Sequence, residues 1–196
     1  MRIMKNFIWS NSQSKLGSSD LMEVVAKNDD HQAFEVLYQR LSTKLYQYVY
    51  YILLDEQKAQ EIVHDAFFTL YDKRKMYRKE YQVSTWLWTI ARNKSYDYLK
   101  KIKELNVADD NVIIGIEDEQ VSTLEKLIEE ANSEIIIEAI SNLPPTQREA
   151  ITLWMDEYTG DEIAEILGKS RQAVKNLINR AKLKLKEILE TQLESL

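Results

Sequence analysis

The chain has no cysteine, and only two histidines, four glycines and two prolines occur among its 196 residues. Without cysteine it can form neither disulfides nor thiolate-based metal or redox sites. His31 and His64 lie in different segments, so the sequence predicts no zinc site and no other metal or cofactor. Because β-rich folds need frequent turns, the scarcity of glycine and proline favours an all-α protein.

Long apolar runs are also missing. None approaches the length needed to span a membrane, and the N-terminus lacks the apolar core of a signal peptide. We therefore expect no membrane insertion and a cytoplasmic location. The sequence also lacks Gly-rich phosphate loops, metal-ligand clusters and nucleophile–base spacings, which argues against an enzyme and against a small-molecule substrate.

Charge is unevenly distributed along a chain whose net charge is −6. Residues 104–138 contain eleven carboxylates and one lysine. Lys169–Lys186 contains seven basic residues and no acidic one, while Lys73–Lys103 contains ten basic residues and two acidic ones. Two cationic stretches therefore flank an acidic connector. Such stretches in an acidic protein indicate binding to a polyanion such as nucleic acid.

The second cationic stretch has the pattern of a helix-turn-helix. Apolar spacing predicts a helix over Asp161–Leu167, which Gly168 ends in a left-handed conformation, and Ser170 caps a second helix. The exposed face of that helix is predicted to carry long donors suited to the major groove, namely Arg171, Gln172, Lys175, Asn176, Asn179, Arg180 and Lys182. The spacing alone also fits a plain helical hairpin with a solvated face. The concentrated positive charge favours the nucleic-acid interpretation.

Helical periodicity extends through the rest of the chain. The predicted helices are Ser19 or Asp20–Lys27, His31 to about Leu53, Glu56–Tyr71 after an Asp55 cap, Thr85 to about Lys103 after a Ser84 cap, Glu134–Ser141, and one beginning with Pro145 and ending near Met155. Residues 120–131 of the connector could form a further amphipathic helix.

The first cationic stretch interleaves basic residues with tyrosines and tryptophans. Basic side chains follow a phosphate backbone and aromatic rings stack on unpaired bases, so this pattern predicts a surface for single-stranded or opened nucleic acid. An aromatic core surrounded by solvated lysines is the alternative. Because Trp86 and Trp88 are two positions apart on one helix, one should pack in the core and the other should border the surface.

In their order and spacing these features resemble a bacterial RNA polymerase sigma factor of the sigma-70 family, extracytoplasmic-function (ECF) subfamily. The matching runs are AFEVLYQRL at 33–41, AQEIVHDAFFTLY at 59–71, STWLWTIARNKSYDYL at 84–99, LPPTQREAITL at 143–153 and EYTGDEIAEILGKSRQAVKNLINRAKLKLK at 157–186. The resemblance implies two small helical domains joined by an acidic linker. The expected parts are sigma domain 2 (20–103), the acidic linker (104–132) and sigma domain 4 (133–196). The polar composition of residues 1–19 predicts a flexible N-terminal tail outside the resemblance.

The resemblance also implies roles for individual residues. Binding to core RNA polymerase is expected from Glu61, Ile62, His64, Asp65 and Phe67. Recognition and opening of the promoter minus-10 element are expected from Tyr77, Tyr81, Arg92, Asn93, Tyr96 and Lys100. Recognition of the minus-35 element is expected from Arg171, Gln172, Lys175, Asn176 and Arg180. Core RNA polymerase, promoter DNA and an anti-sigma factor are the implied partners.

A stand-alone helix-turn-helix regulator with an N-terminal sensor or dimerisation domain is the main alternative function. It would not confer initiation on core RNA polymerase, so transcription in vitro separates the two. A purely structural helical adaptor would leave the segregated charge unexplained.

Overall fold

A computed structural model describes residues 16–103, 124, 127–128 and 133–194. All regular elements within these ranges are helical, which confirms the predicted all-α fold class. The helices are α1 (Ser18–Asn28), α2 (His31–Leu53), α3 (Glu56–Asp72), α4 (Val83–Lys103), α5 (Ser133–Ser141), α6 (Pro145–Met155), α7 (Gly160–Leu167) and α8 (Arg171–Glu194), with a short 3₁₀ turn at Arg74–Met76. Most of the predicted tail and connector, including most of the predicted connector helix, lies outside the described residues.

The chain divides into two compact units. The first contains residues up to 49 and residues 55–98, and the second contains residues 50–54 and everything from 99 onward. This agrees with the predicted layout of two helical domains. The predicted boundaries of those domains stay predictions, because much of the connector is not described.

Local capping explains where several helices begin. The Asp30 carboxylate accepts hydrogen bonds from the amides of Gln32 (2.9 Å) and Ala33 (3.0 Å) at the start of α2. Asp55 accepts from the amide of Lys58 (3.0 Å) at the start of α3. Each carboxylate satisfies amides that lack an intrahelical partner, and the Asp55 cap was predicted from the sequence.

Helix α4 begins two residues before the predicted start, so the prediction that Ser84 caps it is wrong. The amide of Trp86 donates to the carbonyl of Gln82 (3.2 Å), which places Ser84 inside the first turn. Val83 is fully buried. Its amide donates to the hydroxyl of Ser19 (3.4 Å). The helix therefore begins at this buried valine, and Ser84 is its second residue.

Helix α1 begins at Ser18, one or two residues before its predicted start, with Gly17 at its N-cap.

Each unit has its own apolar core. In the first unit Trp88 is fully buried, with its ring centroid 6.5 Å from that of Tyr48, whereas Trp86 is partly exposed. This confirms the predicted difference between the two tryptophans. The core of the second unit includes Ala139, Ile140, Leu143, Ile151, Ala181, Leu185 and Leu189. None of the helices in the described ranges is both long and apolar enough to cross a bilayer.

Candidate nucleic-acid interface

Helices α7 and α8 form the predicted helix-turn-helix, and local hydrogen bonds define its ends. Thr159 and Glu162 form a capping box, in which the Thr159 amide donates to the Glu162 carboxylate (2.8 Å) and the Glu162 amide donates to the Thr159 hydroxyl (3.3 Å). Gly168 ends α7 with a φ of 62°, and Ser170 accepts from the amide of Ala173 (3.2 Å). The roles of Gly168 and Ser170 are as predicted. The capping box was missed, although T-x-x-E is its sequence signature.

The predicted minus-35 residues lie along one side of α8. Arg171, Gln172 and Lys175 are exposed, and Asn176 and Arg180 are partly exposed. The opposite side buries Val174, Ala181, Leu185 and Leu189 in the core of the second unit. Because that apolar face is anchored, the helix cannot rotate its donors away from solvent.

Two contacts orient the first turn of this donor surface. The Gln172 side-chain amide donates to the Asn176 side-chain oxygen (3.1 Å), so the two amides act as a linked pair. The Arg171 guanidinium is 77% exposed and lies 3.5 Å from the Asp161 carboxylate on α7. An exposed ion pair of this kind is weak and leaves the guanidinium accessible to a nucleic acid.

A shallow pocket of about 550 Å³ adjoins the donor surface. It is lined by Trp154, Gly160, Arg171, Gln172, Val174, Lys175, Ile178 and Asn179. The Lys182 ammonium lies 3.8 Å from the centre of the Trp154 ring, a cation–π contact that the sequence reasoning did not predict. Trp154 comes from α6, so only the packing of α6 against α8 brings it beside the donor surface.

The loop before α4 contains two predicted tyrosines, of which Tyr77 is packed against a neighbouring ring and Tyr81 is exposed. Tyr77 stacks on Trp86, with ring centroids 6.0 Å apart and planes 12° apart, and its hydroxyl donates to the carbonyl of Tyr81 (2.9 Å). Burial raises the pKa of the Tyr77 phenol above its usual value. Tyr81 is 54% exposed. Met76, which precedes Tyr77 and was not predicted, is 72% exposed.

The remaining minus-10 candidates lie on α4. Asn93 and Lys100 are exposed, Tyr96 is partly exposed, and their three- and four-residue spacing places them along one side of the helix. The Arg92 guanidinium lies 4.5 Å from the centre of the Tyr96 ring. Lys100 belongs to the part of α4 that is assigned to the second unit.

The predicted polymerase-binding residues on α3 do not share one environment. Glu61, His64 and Asp65 are exposed, but Ile62 is 4% and Phe67 2% exposed. These two side chains belong to the core of the first unit, so direct contact of Ile62 and Phe67 with a partner does not fit the structure. The helical period of the apolar residues in this segment is the sequence signal that indicates an inward position for both side chains.

Phe68 is the apolar residue that α3 exposes instead. Its side chain is 73% exposed, the largest fraction among the exposed large apolar residues of the described chain. Nearby on the same helix, the His64 ring stacks on Tyr38 of α2 at 6.2 Å, with the planes 23° apart. The surface defined by Glu61, His64, Asp65 and Phe68 therefore combines two carboxylates, a supported imidazole and an exposed aromatic ring.

Metal binding has no support in the part of the chain that the structure describes, where no group of three or more His, Asp or Glu side chains could hold an ion.

Two protein families match the chain, one in each half. Sigma-70 region 2 matches residues 37–104, and Sigma-70 region 4 matches residues 133–185. The first match contains α3, α4 and the loop of residues 73–82 between them, called the aromatic loop below, and the second contains the helix-turn-helix.

Whole-chain comparisons agree with these matches. The ECF RNA polymerase sigma factor SigW of Bacillus subtilis is 31% identical over 180 residues, which cover 87% of this chain and 94% of SigW. BldN of Streptomyces coelicolor, also an ECF sigma factor, is 30% identical over 84% of this chain, but the match spans only 64% of BldN.

A solved structure of the sigma factor RpoE in complex with the anti-sigma factor NepR, from Bartonella quintana, has a TM-score of 0.63 and 21% identity. The likeness covers 80% of this chain and 96% of that chain, and it supports the fold. The chain therefore belongs to the sigma-70 family and to its ECF subfamily, whose members direct RNA polymerase to initiate transcription at specific promoters.

Proposed function

We propose that this sigma factor reads the minus-35 element through α8 and the minus-10 element through the aromatic loop and α4. Arg171, Gln172 and Lys175 would enter the major groove, with Asn176 and Arg180 further along the helix. A guanidinium can grip guanine, a side-chain amide can grip adenine, and a lysine can neutralise phosphate. The observation that carries this proposal is the exposed donor surface on a helix whose opposite side is anchored in the core.

The minus-10 proposal rests on a different chemistry. An opened strand offers base faces as well as phosphates, so it needs stacking platforms beside cations. Tyr81 would supply an exposed ring, and Tyr77 would hold the loop through its stack on Trp86. Along α4, Asn93 would read a base edge, Arg92 and Tyr96 would contact the strand together, and Lys100 would neutralise phosphate.

Core RNA polymerase would bind the α3 surface of Glu61, His64, Asp65 and Phe68. Exposed aromatic rings flanked by charges are common anchors of protein interfaces. Ile62 and Phe67 would contribute indirectly, because their burial fixes the orientation of the helix that carries the contact residues.

Transcription in vitro tests the proposed function as a whole. The chain added to core RNA polymerase should start transcripts at a defined promoter, and the chain alone should bind that promoter weakly because each half offers a small basic surface. Glu61→Lys with Phe68→Ala should abolish initiation by preventing holoenzyme assembly. Tight, specific promoter binding by the free protein would contradict the proposal and favour the stand-alone regulator, which the match to region 2 argues against.

An anti-sigma protein is the further partner that we infer. Support comes from the solved RpoE structure, which is a complex with the anti-sigma factor NepR. A protein isolated with this chain should block initiation when added before core RNA polymerase, and one that leaves initiation unchanged is not an anti-sigma factor. Sigma factors in general are not enzymes, and we propose no catalytic activity. Because bacterial RNA polymerase works in the cytoplasm, the proposed function places the protein there.

A further inference from the structure

Helix α1 holds the aromatic loop through a lysine shared by two carboxylates. The Lys79 ammonium lies 2.7 Å from the Asp20 carboxylate and 3.0 Å from the Glu23 carboxylate. Hydrogen bonding to Asp20 and then to Glu23 raises the pKa of Lys79 above its ordinary value. The Lys79 ammonium is therefore paired with two carboxylates of α1, although its side chain is 55% exposed.

The same helix also contacts the loop at its two ends. At the beginning, the Arg74 guanidinium lies 2.8 Å from the Asp29 carboxylate that follows α1 and 4.2 Å from the centre of the Tyr71 ring, and it is only 18% exposed. At the end, the Ser19 hydroxyl donates to the Gln82 side-chain oxygen (3.2 Å). These contacts join segments that are tens of residues apart in the sequence.

The five basic residues of the loop thus fall into two classes. Arg74 and Lys79 are held by carboxylates of α1 or of the residue after it. Lys73, Lys75 and Arg78 are exposed. The Lys79 side chain is also 55% exposed, but a phosphate that approaches it would compete with two carboxylates that already contact its ammonium. The exposed Lys73, Lys75 and Arg78 are expected to meet a strand directly.

We propose that Asp20 and Glu23 are positioning residues for capture of the opened non-template strand, and that Lys79 works through them and not by contacting phosphate. This rests on the proposed minus-10 function. A loop that is ordered before binding loses less conformational entropy when the strand arrives, so Tyr77 and Tyr81 meet it in a fixed arrangement. A single exposed ion pair would be too weak for this role, but here one lysine bridges two carboxylates while further contacts fix both ends of the loop.

The salt dependence of strand binding tests the proposal. The full chain assembled with core RNA polymerase is titrated with a fluorescent single-stranded oligonucleotide carrying the non-template minus-10 sequence, over a range of salt concentrations. Lys75→Ala, the matched control, should weaken binding and flatten the slope of log K against log salt by about 0.7, as loss of one phosphate contact does. Lys79→Ala should weaken binding about 5-fold and leave the slope unchanged. Lys79→Arg should restore affinity.

The variant Asp20→Asn with Glu23→Gln gives the sharper test, because it makes the protein more positive and so should strengthen any purely electrostatic attraction to DNA. We expect it to weaken binding about 5-fold with the slope unchanged. Tighter binding, or a flattened slope for Lys79→Ala, would overturn the proposal by showing that the carboxylates compete with the strand. A third outcome is that Lys75→Ala changes neither the affinity nor the salt slope although the holoenzyme still assembles. That result would contradict the proposed minus-10 function of the loop itself.

Discussion

The two candidate DNA surfaces are built on different principles. In α8 the donors lie on one regular helix whose cap acts over three residues, from Ser170 to Ala173. In the aromatic loop the geometry depends on contacts such as that between Ser19 and Gln82, which are 63 positions apart. The first surface is therefore local and encoded in a short segment. The second exists only when the first unit is folded, and mutations should separate the two.

Removing the core tryptophan should have the largest effect. Trp88→Ala deletes a fully buried side chain and should cost about 3–5 kcal/mol of unfolding free energy. Urea denaturation followed by far-UV circular dichroism measures this cost. The matched control is Trp86→Ala, two residues away and partly exposed, which should cost distinctly less. Equal losses of unfolding free energy would mean that the stack of Trp86 on Tyr77 stabilises the fold as much as the buried Trp88 does.

Truncating a recognition donor should affect binding and spare stability. Arg171→Ala removes an exposed guanidinium and should weaken holoenzyme discrimination at the minus-35 element by about 1–3 kcal/mol, with an unchanged melting temperature. Gel-shift competition between promoter and minus-35-substituted DNA gives the discrimination. Lys184→Ala, exposed further along the same helix, should leave it nearly unchanged. A comparable loss from Lys184→Ala would indicate general electrostatic attraction without base reading.

Substitution of Ser170 and of Ser84 compares a serine that caps a helix with one that was only predicted to do so. Ser170→Ala removes the acceptor for the Ala173 amide and should cost about 1 kcal/mol. Ser84→Ala lies inside α4 and should change stability by less than about 0.5 kcal/mol. Thermal or urea unfolding of each variant decides the matter. A clear loss from Ser84→Ala would restore the original assignment of this residue as a cap.

The smallest expected effect is a loss of folding stability at alkaline pH, caused by ionisation of Tyr77 in the aromatic loop. Burial raises the pKa of Tyr77 in the folded protein, so its contribution to stability is complete below the unfolded pKa of about 10. That contribution is lost as the pH rises through the folded pKa, because ionisation would place a phenolate in a partly desolvated site. Tyrosinate absorbance of the wild type minus that of Tyr77→Phe should titrate above pH 10. A difference titrating at or below that value would contradict the inference.

Most features that depend on neighbours along the chain were predicted from the sequence, although the Thr159–Glu162 capping box was missed and the Ser84 cap was wrong. Helix α2 was predicted with both of its ends, and the caps at Asp55 and Ser170 were correct. Capping groups act within three residues and apolar faces recur every three or four, so a short window contains all the needed information. The exposed donors of α8 followed from the same periodicity.

Tertiary structure decided what depends on distant partners. Packing brought Val83 into the core and moved the start of α4, and it left Phe68 exposed while burying Ile62 and Phe67. The pairing of Lys79 with α1 could not be read from spacing, because a cationic side chain in a loop looks the same whether it meets solvent, a phosphate or a carboxylate. The sequence by itself determined the helices and the family. Only the folded chain determined which side chains remain available for binding, since availability depends on what every other segment covers.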